Sequence, residues 1–331
     1  MKILLVYQGY PRLSQTYQTD EAQYLRDQGH ELLIYSYNWT VDPKYVSDQA
    51  LPYICSSPER DIARIRKFAP DVVHSCFLET IPMIERLCNR IPSKYTIRAH
   101  SYDVLRLNTI RVSSRCLAIL TFPSWTQYFP SEVRHLVREY YPMIKISRYQ
   151  LDLTIPKGNG IMSGGACLPK KDIYGFIDHA VVLKERFPDK EITYYTMPED
   201  PAYYRMVQTY NTNKGSPVIF RTVQTTEMPY EYSKHTWLIY GACETFGTVG
   251  FPLMIAEAQA AGVMVIMYKL RPDAELYLSG TGYFYKTVDD IISIIDTGPD
   301  PEKIQSARNL CDRYDIYTLN MEQIWRNTME K

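Results

Sequence analysis

Short apolar runs alternate along this chain with longer segments of helical spacing, and no other feature limits its fold as strongly. In the first half, six such runs are separated by polar or helical segments: KILLVY (2–7), ELLIYS (31–36), DVVHS (71–75), YTIR (95–98), CLAILTF (116–122) and IKIS (144–147). Apolar strands of this length, with helices between them, are typical of a sheet that is covered on both faces. The pattern therefore predicts a doubly wound, mostly parallel α/β fold.

Helices are expected between these strands. The segment SQTYQTDEAQYLRDQGH begins with Ser14, a candidate N-cap, and ends near Gly29, a candidate C-terminal stop. The segments ERDIARIRKFA (59–69) and TIPMIERLCNR (80–90) precede the third and fourth strands. Such helices supply the crossover connections that parallel strands require.

The segment YQLDLTIPKGNG (149–160) interrupts this pattern with a proline and two glycines and is interpreted as a linker. The alternation then restarts. Strands are predicted at GIMSG (160–164), EITYYT (191–196), SPVIFR (216–221), WLIYG (237–241) and VMVIMY (263–268), and helices at KKDIYGFIDHAVVLKERF (170–187), MPYEYSKH (228–235) and residues 252–261. Two α/β domains are predicted, residues 1–152 and 153–331, with a ligand site in the cleft between their sheets. Residues 315–330 have helical spacing and could pack back on the N-terminal domain.

Charge and cysteine content argue against several classes of function. Lys plus Arg and Asp plus Glu both number 37, so no overall field favours nucleic acid or an anionic membrane. The 7 cysteines form no CxxC pair and no cluster with histidine, which disfavours a zinc site or a disulfide framework and fits a reducing compartment. The first apolar run is too short for a signal peptide, and no stretch approaches the roughly 18 apolar residues of a membrane span. A cytoplasmic protein is expected.

The stretch FGTVGFPLMIAEAQAAGVMVIM (246–267) places one acid in a helix of small residues. Pro252 suits the first turn of that helix, and Gly262 suits its C-terminal stop. The glycines of the preceding turn, Gly247 and Gly250, would let backbone amides approach an anion at the positive end of the helix dipole. Glu257 either accepts two hydroxyl hydrogen bonds from a ribose or is an exposed glutamate on an ordinary helix.

The segment GFPLMIAEAQAAGVMVIM resembles the G-x-P-x-x-x-x-E-A-x-A-x-G-x-x-V-I signature of glycosyltransferase family 4, retaining enzymes of GT-B fold. Other segments agree in order. YPRLSQTYQTDEAQYLRDQGHELLIYS is similar to the F-P-x-x-S-E-T-F opening of one branch, and PDVVHS (70–75) to the third-strand segment. IRAHSYDVL (97–105) resembles the H-x-x-D segment, and SGGACLPKKDIYGFIDHAVVLKE (163–185) the G-R-L-x-x-x-K-G loop. The resemblance runs from residue 2 to about 290.

This resemblance implies two Rossmann-like domains facing each other across a cleft, an acceptor-side N-terminal domain and a nucleotide-sugar-binding C-terminal domain. It implies transfer of a hexose from a UDP- or GDP-sugar to a hydroxyl of a glycan, a lipid-linked or a small-molecule acceptor. Configuration would be retained, with no metal and no cofactor. It assigns catalytic roles to Lys170, His100 and Glu257, donor contacts to Gly9, Gly164, Gly165, Lys171, Glu244, Gly247, Thr248 and Gly250, and acceptor-side roles to Ser14, Thr16 and Asp103.

The chain departs from the family pattern at two positions. Ala166 stands where the phosphate loop has an arginine, so Lys170 and the adjacent Lys171 would carry the charge, aided by the amides of the helix that follows them. Val249 stands where a second glutamate is expected, and Glu244 is its nearest substitute. These departures leave two alternatives open: a catalytically inactive GT-B module that binds a nucleotide-sugar or a partner, and a GT-B sugar-nucleotide epimerase.

Two further assignments stay open. Asp103 could orient His100 or contact the acceptor, and it could equally cap a helix starting near Val104. The segment RIRK (64–67) is either a basic edge for a lipid-linked acceptor at the inner face of a membrane or a solvated helix face.

Overall fold

The chain divides into two compact units in a computed structural model, which describes residues 1–37, 42–106, 110–150, 157–241, 251–269, 273–318 and 321–329. Unit 1 comprises Met1–Ile144 together with Tyr314–Lys331, and unit 2 comprises Lys145–Arg313. The chain therefore leaves unit 1 once and returns to it at its end.

Strands form at nearly all of the predicted apolar runs. In chain order they are β1 (Lys2–Tyr7), β2 (Glu31–Ser36), β3 (Ile54–Cys55), β4 (Val72–Cys76), β5 (Lys94–Arg98), β6 (Cys116–Thr121), β7 (Val137–Glu139), β8 (Gly160–Ala166), β9 (Ile192–Met197), β10 (Ile219–Arg221), β11 (His235–Tyr240), β12 (Met264–Tyr268) and β13 (Tyr283–Tyr285). Residues Ile3 to Val6 of β1 are fully buried, as a strand covered on both faces should be.

Helices connect these strands. They are α1 (Thr16–Asp27), α2 (Ile62–Phe68), α3 (Ile81–Cys88), α4 (Ser101–Arg106), α5 (Ile173–Arg186), α6 (Pro201–Asn213), α7 (Met228–Ser233), α8 (Leu253–Ala261), α9 (Ala274–Leu278), α10 (Val288–Thr297), α11 (Pro301–Leu310) and α12 (Met321–Met329). Within the described ranges, none of them combines the length and apolar character needed to cross a membrane.

Both sheets are parallel and share one winding pattern. Unit 1 has the strand order β3-β2-β1-β4-β5-β6-β7, and unit 2 has the order β10-β9-β8-β11-β12-β13. In each sheet the order reverses beside the first strand, so that β1 neighbours β4 and β8 neighbours β11. Doubly wound sheets bind their ligands outside the carboxyl ends of the strands at this switch point. The predicted α/β class is therefore confirmed, and each unit has its own candidate edge.

Some element predictions are wrong. IKIS (144–147) is not a strand: Ile144 makes a single bridge to Asp315, and Ile146–Arg148 form a 3-10 turn. Ser14 is not the N-cap of α1, because Leu13–Gln15 form a 3-10 turn and Gln15 directly precedes the helix. Gly29 does adopt the positive φ of 81° expected after α1. Helices α6, α9, α10 and α11 were not predicted from the sequence.

The last helix, α12, packs on β6 of the first sheet. Its Trp325 is fully buried, and the indole N–H donates to Thr96 Oγ1 on β5 at 3.1 Å. The indole also lies edge-on or tilted to His30 and His74, each with a ring-centroid separation of 6.4 Å. A buried tryptophan with its N–H satisfied contributes a large apolar contact at no polar cost. The C-terminal segment is thus part of the core of unit 1.

Replacing Trp325 by alanine should destabilise the protein by about 3–5 kcal/mol, because a large cavity replaces the indole and Thr96 loses its donor. Urea unfolding followed by far-UV circular dichroism would measure this as a lower midpoint. The matched control is Asn327→Ala, an exposed position on the same helix, which should shift stability by less than about 0.5 kcal/mol. Equal midpoints for the two variants would contradict the assignment of α12 to the core.

Candidate functional site

At the carboxyl end of β8, two glycines bring the backbone close to two other segments. A side chain at position 164 would lie 2.9 Å from Met254 Cε, in the first turn of α8. Gly165 has φ +135°, and a Cβ there would lie 3.3 Å from Lys171 Nζ. Only glycine is accommodated at such positions without strain. The last residues of β8, the start of α8 and the Lys171 amine therefore converge at the switch point of unit 2.

Lys171 is held against the end of β8 by Tyr240, the last residue of β11. Its ammonium donates to Tyr240 Oη at 2.6 Å and lies 5.0 Å from the centre of the Tyr240 ring. Burial lowers the pKa of Lys171 to about 8, and the charge of Glu199 offsets only part of this effect. The side chain is thus a half-buried cation beside the backbone of Gly165.

Lys170 lies half-buried in the 3-10 turn Pro169–Lys171 that precedes α5. The expectation that an anion would meet the N-terminal amides of this helix is not supported by its cap. Asp172, at φ 49°, is the N-cap, and its side chain accepts from the Gly175 amide at 3.4 Å. An anion at this helix end would therefore approach a carboxylate. Ala166, in place of the family's arginine, ends β8.

Helix α8 is buried along most of its length, and so is its one acid. The interpretation of Glu257 as an exposed glutamate is wrong, because the residue is only 8% exposed. Its Oε1 accepts from the Tyr149 hydroxyl at 2.9 Å, and its Oε2 accepts from the Tyr232 hydroxyl at 2.8 Å. Gly262 ends the helix with φ +70°, as predicted. A buried carboxylate with hydroxyl donors on both oxygens is a rigid acceptor.

Four predicted donor contacts lie outside the described residues: Glu244, Gly247, Thr248 and Gly250. The same holds for Val249. Helix α8 begins at Leu253 directly after Pro252, and no acidic residue stands in its first turn.

In unit 1, the turn after β1 carries the predicted Gly9, Ser14 and Thr16. A side chain at position 9 would overlap the Arg12 guanidinium, which crosses the backbone there. Ser14 lies in the 3-10 turn before α1, and Thr16 is the first residue of that helix; both are half-buried. These residues therefore share the carboxyl edge of the sheet beside β1.

His100, which follows β5, is surrounded by three aromatic rings. Its imidazole lies 4.3 Å from Phe77, 5.1 Å from Tyr17 and 6.0 Å from Phe122, measured between ring centres. The Tyr17 hydroxyl and His100 Nε2 are 3.2 Å apart, within hydrogen-bond distance. Phe77 has φ +73°, a conformation that costs a phenylalanine about 1–3 kcal/mol and is typical of functional sites.

Asp103 ties the loop of His100 to the neighbouring strand. Helix α4 begins at Ser101, so Asp103 lies in its first turn rather than capping a helix near Val104. Oδ1 accepts from the amides of His100 at 2.8 Å and Val104 at 3.1 Å, and Oδ2 accepts from the Leu78 amide at 2.8 Å. Burial raises the pKa of Asp103 to about 7 against these three donors. The carboxylate thereby positions the backbone of His100.

A buried ion-pair network lies directly beneath this edge. Glu21 of α1 is fully buried, accepts from the Tyr7 hydroxyl at 2.7 Å and forms a short ion pair with Arg98 of β5. His74 Nε2 lies 3.2 Å from Glu21 Oε1 without the geometry of a hydrogen bond. Burial alone would raise the pKa of Glu21, but Arg98 and His74 outweigh it and hold the pKa at about 2. Because Arg98 stands two residues before His100, the network anchors the strand end that carries the imidazole.

No protein-family model matches the sequence, and no curated protein matches it. Several solved structures share the fold over nearly the whole chain. HepE of Anabaena in complex with UDP-glucose has a TM-score of 0.76, 15% identity and 100% coverage of both chains. A glycosyltransferase from Rickettsia africae has a TM-score of 0.71, 14% identity and coverage of 99% of this chain and 97% of that chain. Sucrose-phosphate synthase from Thermosynechococcus elongatus has a TM-score of 0.68, 14% identity and coverage of 100% and 98%.

These likenesses establish the fold. The chain has a GT-B fold, built from two α/β units with parallel sheets, as the sequence predicted. Since one fold carries many activities, the site has to supply the argument for function.

The structure also brings to the predicted site residues several side chains that the sequence did not single out. They are Tyr149, Tyr232 and Tyr240 in unit 2, and Tyr17, Phe77 and Arg98 in unit 1. With 29 tyrosines in the chain, no single one stands out from its neighbours. The sequence did indicate that the carboxylate of Glu257 needs hydrogen-bond donors, but it did not indicate which residues supply them. Among the described residues, no group of three or more His, Cys, Asp or Glu could hold a metal ion.

Replacing Arg98 by methionine should destabilise the protein by about 3–5 kcal/mol, because Glu21 would remain buried without its cation. Urea unfolding at pH 7 would measure the loss. Glu21→Gln combined with Arg98→Met should recover much of it, since the uncompensated charge is then gone. A single variant as stable as the wild type would contradict the role of the ion pair.

The same pair predicts a pH dependence. The folded pKa of Glu21 lies below its ordinary value of 4.5, so its stabilisation is present above that pH and is lost as the pH falls towards 2. Arg98→Met should show a smaller loss of stability over this acid range than the wild type does.

Proposed function

We propose that this protein is a glycosyltransferase of the family 4 type. It transfers a hexose from a nucleotide-sugar to a hydroxyl acceptor with retention of configuration and without a metal ion. The proposal rests on one observation above the others: the half-buried amine of Lys171 lies at the carboxyl end of β8, held by Tyr240 of β11, and α8, whose first turn reaches the same strand end, carries the buried carboxylate of Glu257. HepE, of the same fold over its whole length, is described with UDP-glucose bound.

In the donor site, the pentose would donate its hydroxyl groups to Glu257, and the diphosphate would meet Lys171 and the backbone at Gly164 and Gly165. The departing nucleoside diphosphate gains charge as the glycosidic bond breaks. A cation already in place stabilises that charge without reorganisation. Binding energy from the ribose, remote from the reaction, would position the anomeric carbon. Lys170 is assigned to the same diphosphate. Glu244 and the glycines of residues 246–250 remain assigned to the donor as the sequence predicted.

In unit 1, His100 is assigned to the transferred sugar, since aromatic rings on three sides fix its imidazole. Asp103 supports it through the backbone, and Ser14 and Thr16 are assigned to the acceptor hydroxyl. Gly9 remains assigned to the donor as the sequence predicted, with the Arg12 guanidinium crossing its backbone. The acceptor is a glycan, a lipid-linked sugar or a small molecule.

A second candidate is an inactive module that binds a nucleotide-sugar without transferring it. Ala166 favours it, because the phosphate loop has lost one cation. Incubating the protein with a panel of UDP-, GDP- and ADP-sugars distinguishes the candidates. Slow hydrolysis of one donor supports transfer, a thermal shift without turnover supports the inactive module, and inversion of a sugar centre supports an epimerase.

Replacing Glu257 by alanine should weaken binding of the preferred nucleoside diphosphate by about 10- to 100-fold, because charge-assisted hydrogen bonds contribute about 1.5–3 kcal/mol. Isothermal titration calorimetry with UDP, GDP and ADP would measure it. Glu275→Ala, on the exposed face of α9, is the control and should leave affinity unchanged. If none of the three nucleotides binds the wild type, the donor site does not exist.

Binding of the diphosphate should weaken as the pH rises through about 8, because Lys171 then loses its proton before the ligand arrives. Titrations between pH 7 and 9 would show it, since a phosphate ester with a second pKa of about 6 is already ionised there. Lys171→Met should bind about 10- to 100-fold more weakly at pH 7 and show a flatter profile. Lys286→Met, an exposed lysine of unit 2, should retain the wild-type profile. A pH-independent wild type would remove Lys171 from the site.

A further inference from the structure

Glu257 is enclosed by two tyrosines that come from different parts of unit 2. Tyr149 follows the turn Ile146–Arg148 at the start of the unit, and Tyr232 lies on α7, which packs against α8. Tyr149 is 1% exposed and Tyr232 is fully buried. Their rings meet edge to face, with centres 5.6 Å apart and an interplanar angle of 84°. Both side chains are therefore fixed by packing before they contact the carboxylate.

Each tyrosine donates a hydrogen bond to a different oxygen of the Glu257 carboxylate. The Tyr149 hydroxyl donates to Oε1 at 2.9 Å and the Tyr232 hydroxyl donates to Oε2 at 2.8 Å. Two donors at opposite oxygens determine both the position and the plane of the carboxylate, which a single donor would leave free to rotate. Burial and the charge of Glu257 raise the pKa of Tyr232 well above its ordinary value, so that this donor keeps its proton at any physiological pH.

We propose that Tyr149 and Tyr232 are positioning residues, which orient Glu257 so that its two oxygens receive the two hydroxyls of a nucleotide ribose. The proposal rests on the function proposed above. A diol recognised by a carboxylate needs one oxygen facing each hydroxyl, and free rotation of the carboxylate would cost affinity when the ligand binds. Because the two tyrosines fix the carboxylate before the ligand binds, this loss of rotational freedom does not reduce the affinity.

The alternative to positioning is competition, in which the tyrosine hydroxyls occupy the places of the ribose hydroxyls on Glu257. The packing of the tyrosines favours the positioning role, because both rings are buried and held edge to face, as suits a fixed support rather than a group that a ligand displaces. A carboxylate oxygen accepts from more than one donor, so that diol hydroxyls can bind alongside the tyrosine hydroxyls. The two relations predict opposite signs for the effect of removing a tyrosine hydroxyl.

The experiment compares a ribonucleotide with its 2′-deoxy form. Isothermal titration calorimetry with UDP and 2′-deoxy-UDP, or the guanosine pair if the protein prefers it, gives the ribose preference of the wild type. Tyr149→Phe and Tyr232→Phe are made separately, and each removes one oxygen atom while keeping the ring. Each should weaken binding of the ribonucleotide by about 10-fold and leave binding of the deoxynucleotide within about twofold, so that the ribose preference falls. Glu257→Gln should lower the same preference.

The matched control is Tyr230→Phe, on the same helix as Tyr232 but 63% exposed, which should leave both affinities unchanged. Equal weakening of both nucleotides in the tyrosine variants would mean a merely structural role and would overturn the proposal. Tighter ribonucleotide binding would mean competition and would also overturn it. The proposal would also be overturned if a tyrosine variant with a wild-type near-ultraviolet spectrum kept the wild-type preference for the ribonucleotide over the deoxynucleotide. Failure of the wild type to bind either nucleotide would instead reject the proposed function, so the two failures can be told apart.

Discussion

A carboxylate buried without partners costs several kcal/mol, and each unit of this protein has a buried glutamate beside its candidate site, in a helix that packs on its sheet. In unit 1 the group is Glu21, which is satisfied by Arg98 and Tyr7. In unit 2 it is Glu257, which is satisfied by Tyr149 and Tyr232. The partners come from other segments of the same unit. The need to satisfy the acid therefore fixes how helix, sheet and neighbouring turns fit together.

The two acids satisfy this need differently, and the difference bears on function. A guanidinium neutralises Glu21, and the resulting pair is a structural support for the strand end that carries His100. The two tyrosine hydroxyls bring hydrogen bonds to Glu257 without a positive charge. In the function proposed above, this carboxylate accepts the hydroxyls of a ribose. The sheet topology then matters because Glu21 lies beside the ends of β1 and β5, and Glu257 lies on the helix whose first turn reaches the end of β8. Ligands of this fold class bind at such strand ends.

Under the proposed function, a departure from the family 4 pattern is compensated in space. Position 166 is alanine where that pattern has an arginine, while Lys171 reaches back to Gly165 at the end of β8 and is held there by Tyr240. The sequence allowed either lysine of the pair to take this role. Only the fold of the turn Pro169–Lys171 decides which amine faces Gly165, because adjacent residues of a tight turn point in different directions.

The sequence by itself determined the two parallel α/β units, the buried runs such as KILLVY, the stop at Gly262 and the presence of Glu257 in a helix of small residues. Those features are local, since apolar periodicity and glycine conformation act over a few neighbouring residues. Tertiary structure alone decided which donors meet Glu257, that α12 belongs to the core of unit 1, and that IKIS is no strand. Hydrogen-bond partners that are distant in the chain leave no periodic signal in the sequence. Many tyrosines could donate to Glu257, and only tertiary packing determines which of them do.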